Sequence, residues 1–241
     1  MKAMLFSAGL GTRLRPLTDS IPKALVVFKG RPLLEWNLLR LKKFGFTEVI
    51  INVHHFAEKI EAFLKANENF GMQIAISDER EQLLETGGGL KKAAWFFDAM
   101  TPFLVSNADV ICDLDLGKLF SYHIQKKADA TLAVMDRKSS RYFLFDKEMR
   151  LAGWKNEKTN ELKIPREVSR PDKFAFSGIQ IIDPIILKKI TRDGVFSMVD
   201  VYLDLADELH IVGMPHSGTW LDLGTVETLK TGEKVGLKGY L

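Results

Sequence analysis

Cysteine is almost missing from this chain: Cys112 is the single one in 241 residues. One thiol excludes an internal disulfide framework and a multi-cysteine zinc site, and such poverty fits a reducing compartment. Long apolar runs are missing too, since no stretch approaches the roughly 20 residues of a membrane span. The apolar run over 1–8 is too short for a secretion-signal core and is soon followed by Arg13 and Arg15, so the cytoplasm is the expected location. There is no internal repeat, no low-complexity tract and no array of short β-helix repeats. Nor is there an excess of one charge. The 34 basic and 31 acidic residues leave a net +3, which does not predict nucleic acid or membrane as a partner.

What is present is a globular composition, 46% hydrophobic and 27% charged, enough for a full core. Short apolar runs alternate with amphipathic segments. Strands are expected over 3–6, 47–53, 72–76, 103–106, 130–135 and 174–182. Helices are expected over 32–43, 56–65, 89–97, 116–126, 198–207 and 225–231. In the second helix Phe56, Ile60, Phe63 and Leu64 share one face. The alternation predicts an α/β protein, a Rossmann-like three-layer sandwich with a mostly parallel central sheet. Residues 137–173 break the pattern with charges and short polar strand candidates, and read as a small β-rich insertion or lid. A single domain over 1–241 is expected.

Four segments carry chemistry, each just beyond a strand, where open α/β sheets bind ligands. The first runs Ser7-Ala8-Gly9-Leu10-Gly11-Thr12-Arg13-Leu14-Arg15-Pro16-Leu17-Thr18. Gly9 and Gly11 allow a tight turn and close backbone approach, the amides can form an anion nest, and Arg13 and Arg15 add positive charge. It is neither a dinucleotide fingerprint, which wants a third glycine where Leu14 stands, nor a Walker loop. The second is Lys23, pinned by Pro22; alone it reads as a solvated lysine, beside the loop as a phosphate ligand. The third, Leu84-Glu85-Thr86-Gly87-Gly88-Gly89, opens a helix and offers a flat surface for a base or sugar, with a flexible loop as the plainer reading.

The fourth is a pair of distant acids, Asp109 in Asn107-Ala108-Asp109 and Asp222 in Trp220-Leu221-Asp222-Leu223-Gly224-Thr225. Two carboxylates meeting near phosphates suit Mg²⁺, although each alone is the usual residue of a turn or cap. His54 and His55 end a strand, where neighbours face opposite sides, so a shared metal is not expected. In Asp113-Leu114-Asp115 the second acid reads as a helix cap.

These motifs resemble those of the sugar-1-phosphate nucleotidyltransferases. The likeness covers Ala8-Gly9-x-Gly11-Thr12-Arg13-Leu14, Pro16-Leu17-Thr18, Pro22-Lys23, Glu85-Thr86-Gly87-Gly88, Asn107-x-Asp109, Phe176-Ser177-Gly178-Ile179 and Trp220-x-Asp222-x-Gly224-Thr225, in family order. The chain is most similar to N-acetylmuramate 1-phosphate uridylyltransferases, with mannose-1-phosphate guanylyltransferase-like proteins close behind. The resemblance implies that Gly11, Thr12, Arg13 and Lys23 hold the triphosphate, with Arg13 and Lys23 catalytic. It implies that Ala8, Gly9, Glu85, Gly87 and Gly88 meet the nucleotide, that Asn107, Ser177 and Gly178 face the sugar, and that Asp109 and Asp222 bind Mg²⁺. Many members carry Glu-Lys-Pro before the Ser-Gly segment; here the nearest stretch is Ser169-Arg170-Pro171, with Arg170 in place of the lysine.

The expected reaction joins a nucleoside monophosphate from an NTP to a sugar 1-phosphate and releases pyrophosphate. Two other classes remain open at this point. One is a glycosyltransferase using Asp113 and Asp115, which would release no pyrophosphate. The other is a nucleotide-sensing domain without turnover.

Overall fold

The structure is a computed structural model and describes residues 1–237 and 240. In chain order the main elements are β1 (Lys2–Phe6), β2 (Val27–Phe28), β3 (Arg31–Pro32), α1 (Leu33–Lys43), β4 (Glu48–Val53), α2 (Ala57–Ala66), β5 (Gln73–Asp78), α3 (Glu85–Lys92), β6 (Phe103–Asn107) and β7 (Val110–Cys112). Then follow α4 (Leu116–Lys126), β8 (Ala130–Met135), β9 (Arg141–Phe145), β10 (Leu151–Asn156), β11 (Glu161–Lys163), β12 (Asp172–Ile182), α5 (Ile185–Lys189), α6 (Met198–Leu205), β13 (Ile211–Pro215), β14 (Trp220–Asp222) and α7 (Val226–Gly232). No helix among the described residues is long and apolar enough to cross a membrane. The chain divides into two compact units, one of residues 1–83, 105–113 and 218–241, the other of residues 84–104 and 114–217.

In the first unit β1, β4 and β5 are parallel neighbours, with Phe6 opposite Asn52 and Asn52 opposite Ser77. The apolar runs at the centres of β1 and β4 are buried, because helices cover a parallel sheet. A second ladder pairs β7 with β14, antiparallel, with Asp222 opposite Val110 and Leu221 opposite Ile111. One apolar cluster gathers Leu14, Phe28, Leu33, Trp36, Ile111, Leu223 and Leu229. Three of these lie within two residues of Arg13, Asp109 and Asp222. Burying a side chain of this size contributes roughly 1.5–3 kcal/mol, so the core fixes the backbone of all three polar segments.

In the second unit β8 pairs β12 antiparallel and β13 parallel. β12 also pairs β9, which continues antiparallel through β10 to β11. Residues 137–173 therefore form the expected β-rich insertion, and the fold class is the expected Rossmann-like α/β arrangement. Asp146 closes the β9–β10 turn. Burial opposes its charge, but the N–H groups of Arg150 and Glu148 and the Arg166 guanidinium donate to it and hold its carboxyl below the usual range.

The helix expected over 89–97 is two pieces. α3 begins earlier, at Glu85, and ends at Lys92, and a 3₁₀ turn follows over Ala94–Phe96. Its glycines are helical because their missing side chains make room for a neighbour. A Cβ on Gly87 would lie 2.4 Å from the Phe196 ring, and one on Gly88 would lie 2.3 Å from the Gly194 carbonyl oxygen. Propensity against glycine loses here to tertiary packing.

Gly153 in β10 is closed in by the neighbouring strand, since a Cβ there would sit 2.4 Å from the Lys163 carbonyl oxygen. The obstacle is backbone and cannot swing aside. We expect Gly153→Ala to cost about 1–3 kcal/mol through overpacking, lowering the thermal midpoint by several degrees in a melting experiment.

Candidate active site

The loop after β1 is set by its glycines and by hydrogen bonds. Gly11 has φ +64, a region open to glycine at no steric cost, and a Cβ would approach Thr18 Cγ2 to 2.9 Å and Lys23 Cβ to 3.1 Å. The Thr18 hydroxyl and the Leu14 N–H both donate to the Gly11 carbonyl, each at 2.8 Å. Thr12 and Arg13 are exposed on the 3₁₀ turn Thr12–Leu14, while Leu14 is anchored in the core. Gly9, Leu10, Gly11, Thr12, Arg13, Lys23, Leu83 and Gly224 line a cavity of about 270 Å³. Ala8, the residue before Gly9, is buried.

The two acids converge because their strands are partners. Asp109 precedes β7 and Asp222 ends β14, and the Leu223 N–H donates to the Asp109 carbonyl at 2.9 Å. Lys23, with its side chain 13% exposed, donates to Asp109 Oδ2. Gly224 completes the arrangement. Its N–H donates to Asp222 Oδ1 at 2.9 Å. The point where its Cβ would stand is 2.7 Å from Asp222 Oδ1, 2.9 Å from Arg13 Nη2 and 3.1 Å from Lys23 Nζ. Arg13, Lys23 and Asp222 are thus gathered around one glycine, with Asp109 bound to Lys23, beside a glycine-containing loop. Phosphate groups suit such a place: the cations and the amides attract them, and the carboxylates are hard oxygen donors for a metal they carry.

The remaining expected residues have other settings. Asn107 ends β6, half-buried. In the second unit Glu85 is exposed with φ +60, and Gly87 and Gly88 are buried, their N–H groups donating to the Phe196 carbonyl. Packing against Phe196 and Gly194 demands glycine at both positions. Ser177 is fully buried, and its hydroxyl shares a 2.8 Å hydrogen bond with His216 Nε2. Gly178 has φ +74, and Arg170 lies exposed with φ +55.

Asp113 accepts from the Thr219 N–H at 2.9 Å, and Asp115 caps α4 through the Lys118 N–H at 2.9 Å. Both acids therefore hold backbone, and Asp115 is the helix cap that its position suggested. His54 bonds the Glu79 carbonyl, while the His55 ring lies tilted against Phe56. Gly224 has a place in the site that the sequence alone does not assign. Its signal was its position two residues after Asp222, where a side chain would collide with the carboxylate.

Comparison with known proteins identifies the family. The family model described as Nucleotidyl transferase matches residues 2–152. The N-acetylmuramate alpha-1-phosphate uridylyltransferase of Neisseria meningitidis is 34% identical, covering 95% of this chain and 96% of that protein. The mannose-1-phosphate guanylyltransferase catalytic subunit beta of Danio rerio is 30% identical over 96% of this chain, which spans 63% of that longer protein. Among solved structures, a putative glucose-1-phosphate thymidylyltransferase from Bacillus anthracis shares the fold with a TM-score of 0.81 at 16% identity, covering 100% of this chain and 98% of that one. The chain belongs to the nucleotidyl transferase family, as a sugar-1-phosphate nucleotidyltransferase of the kind its motifs resemble.

Proposed function

We propose that the chain transfers uridine monophosphate from UTP to N-acetylmuramate 1-phosphate, releasing pyrophosphate, in a Mg²⁺-dependent reaction in the cytoplasm. The observation that carries the chemistry is the convergence of Arg13, Lys23 and Asp222 on Gly224, with Asp109 held by Lys23. The choice of substrates leans on the Neisseria relative, which matches this chain end to end at 34% identity. Mannose-1-phosphate guanylyl transfer is the second reading, favoured by the 30% identity to the Danio protein.

The residues fit Mg²⁺. Asp109 and Asp222 offer oxygen donors only, and no group of three or more potential metal ligands occurs among the described residues. Mg²⁺ characteristically takes one or two carboxylates and completes its shell with substrate oxygens and water. Bound there, it would supply Lewis-acid neutralisation of phosphoryl charge.

The chain's own groups supply position and charge. The loop amides and Thr12 hold the triphosphate along the cavity. Arg13 and Lys23 offset the charge that grows on the leaving pyrophosphate. An oxygen of the sugar phosphate attacks the α-phosphorus, and the bond to the β-phosphate oxygen breaks with its electron pair leaving on pyrophosphate. No strong base is required, because a phosphate monoester with a second pKa of about 6 is already largely dianionic at neutral pH. Catalysis is then alignment and electrostatics. Glu85, Gly87, Gly88, Ser177, Gly178 and Asn107 enter as base and sugar contacts through the family pattern.

A panel of NTPs against sugar 1-phosphates, read by pyrophosphate release, tests the substrates. UTP with N-acetylmuramate 1-phosphate is expected to give the highest kcat/KM; a preference for GTP with mannose 1-phosphate would establish the second reading. Asp109→Ala and Asp222→Ala are each expected to lower turnover by about a hundredfold or more with an unchanged melting midpoint. Chelation should stop the wild-type enzyme and Mg²⁺ should restore it. Retained turnover in either variant would overturn the metal assignment.

Gly224→Ala makes a finer test. The atoms its Cβ would displace are the free ends of Asp222, Arg13 and Lys23, which can swing away without disturbing the backbone. The variant is expected to fold normally and to lose about tenfold or more in kcat/KM, as misplaced charges stabilise the transition state less well.

A further inference from the structure

One buried polar chain in the first unit has no part in the chemistry above. Asn52 lies on β4 in the middle of an apolar run, Ile50, Ile51 and Val53, and is 3% exposed. Its Oδ1 accepts the backbone N–H of Ser7 at 2.7 Å, and its Nδ2 donates to Glu79 Oε1 at 2.8 Å. Glu79 is completely buried, and its own N–H donates to the Val53 carbonyl at 2.8 Å. Burying a carboxylate is costly unless it is well bonded, so a full core position given to Glu79 calls for a reason.

The location supplies one. β1 ends at Phe6, and Ser7 is the first residue of the phosphate loop. Parallel pairing of β1 with β4 stops at Phe6 opposite Asn52. The next N–H, that of Ser7, would have no strand partner, and the Asn52 amide takes it. On the other side the Phe6 carbonyl accepts the Ala108 N–H at 3.0 Å, and the Ala108 carbonyl accepts Asn37 Nδ2 at 3.0 Å. The loop therefore leaves the sheet with its first peptide held from both sides. Ala108 is also the residue before Asp109, so the same clamp sets the height of the loop against the first acid.

We propose that Asn52 and Glu79 form a buried relay that positions the nucleotide loop: Glu79 fixes the orientation of the Asn52 amide, and Asn52 fixes the Ser7 peptide. They are positioning residues, since neither faces the cavity. The proposal rests on the reading of the loop as a nucleotide site. It goes beyond that reading by assigning the loop's register to a side-chain amide whose donor and acceptor ends cannot be exchanged.

Polarity makes it testable. Asn52→Asp keeps the acceptor for Ser7 but sets a carboxylate against Glu79. Glu79→Gln retains an acceptor for Asn52. The double variant Asn52→Asp/Glu79→Gln restores a matched pair, with the glutamine amide donating to the new aspartate. Ser77→Ala is a control in the same row, because Ser77 pairs with Asn52 in register but its hydroxyl makes no hydrogen bond.

UTP affinity by titration calorimetry, with melting midpoints alongside, reads the outcome. Asn52→Asp is expected to weaken UTP binding about tenfold, equivalent to about 1.4 kcal/mol, and to raise the KM for UTP more than that for the sugar phosphate. Glu79→Gln, the double variant and Ser77→Ala should each stay within about threefold of wild type. A folded Asn52→Asp that binds UTP normally overturns the relay, as does a double variant no better than Asn52→Asp. If Asn52→Asp fails to fold, the double variant decides: folded with near-normal affinity supports the relay, weak or unfolded overturns it. Failure of the wild-type chain to bind UTP or any other NTP would instead overturn the reading of the loop, and the relay with it.

Discussion

The ammonium of Lys23 is the interaction on which the first unit's polar centre depends. Without a cation, two carboxylates brought to one point repel each other, and their strands would have no electrostatic reason to meet there. Lys23 binds Asp109 directly and reaches toward Asp222 across the space left by Gly224. Arg13 adds a second positive charge from the loop. The result is a centre of mixed charge that is nearly balanced by itself. Its geometry is held from below by Leu14, Ile111 and Leu223, so apolar packing fixes where the charges can go.

Much of this was legible in the order of residues. Most of the major strands and helices follow from apolar periodicity, with ends shifted by one or two residues, because burial against a sheet imposes the period directly. The glycine loop after β1, Lys23 and the two acids stand out by their spacing, and the structure brings them together. β7 and β13 were not read as strands: β7 has three residues, too few to display a period. In the triple-glycine segment Gly87 and Gly88 are buried against Phe196 and Gly194, partners more than a hundred positions away that no local pattern reveals.

Asn52 shows the opposite case, a signal present but easily passed over. A single amide inside Ile50-Ile51-x-Val53 is out of place in a buried strand, since its polar atoms must be satisfied or carry a penalty. That anomaly marks the position. Its partners, the Ser7 peptide and Glu79, become visible only when three strands are laid side by side. Gly224 likewise carries meaning only in three dimensions, as the point that three charged groups share.

The pairing of β7 with β14 joins residues 110–112 to residues 220–222. A ribosome delivers the loop, Lys23 and Asp109 long before Asp222 leaves the exit tunnel. Until then Lys23 and Arg13 face a single carboxylate, and the nascent chain carries an unbalanced cationic cradle. Maturation of the centre therefore waits for one short strand that closes a ladder whose other half was made a hundred residues earlier.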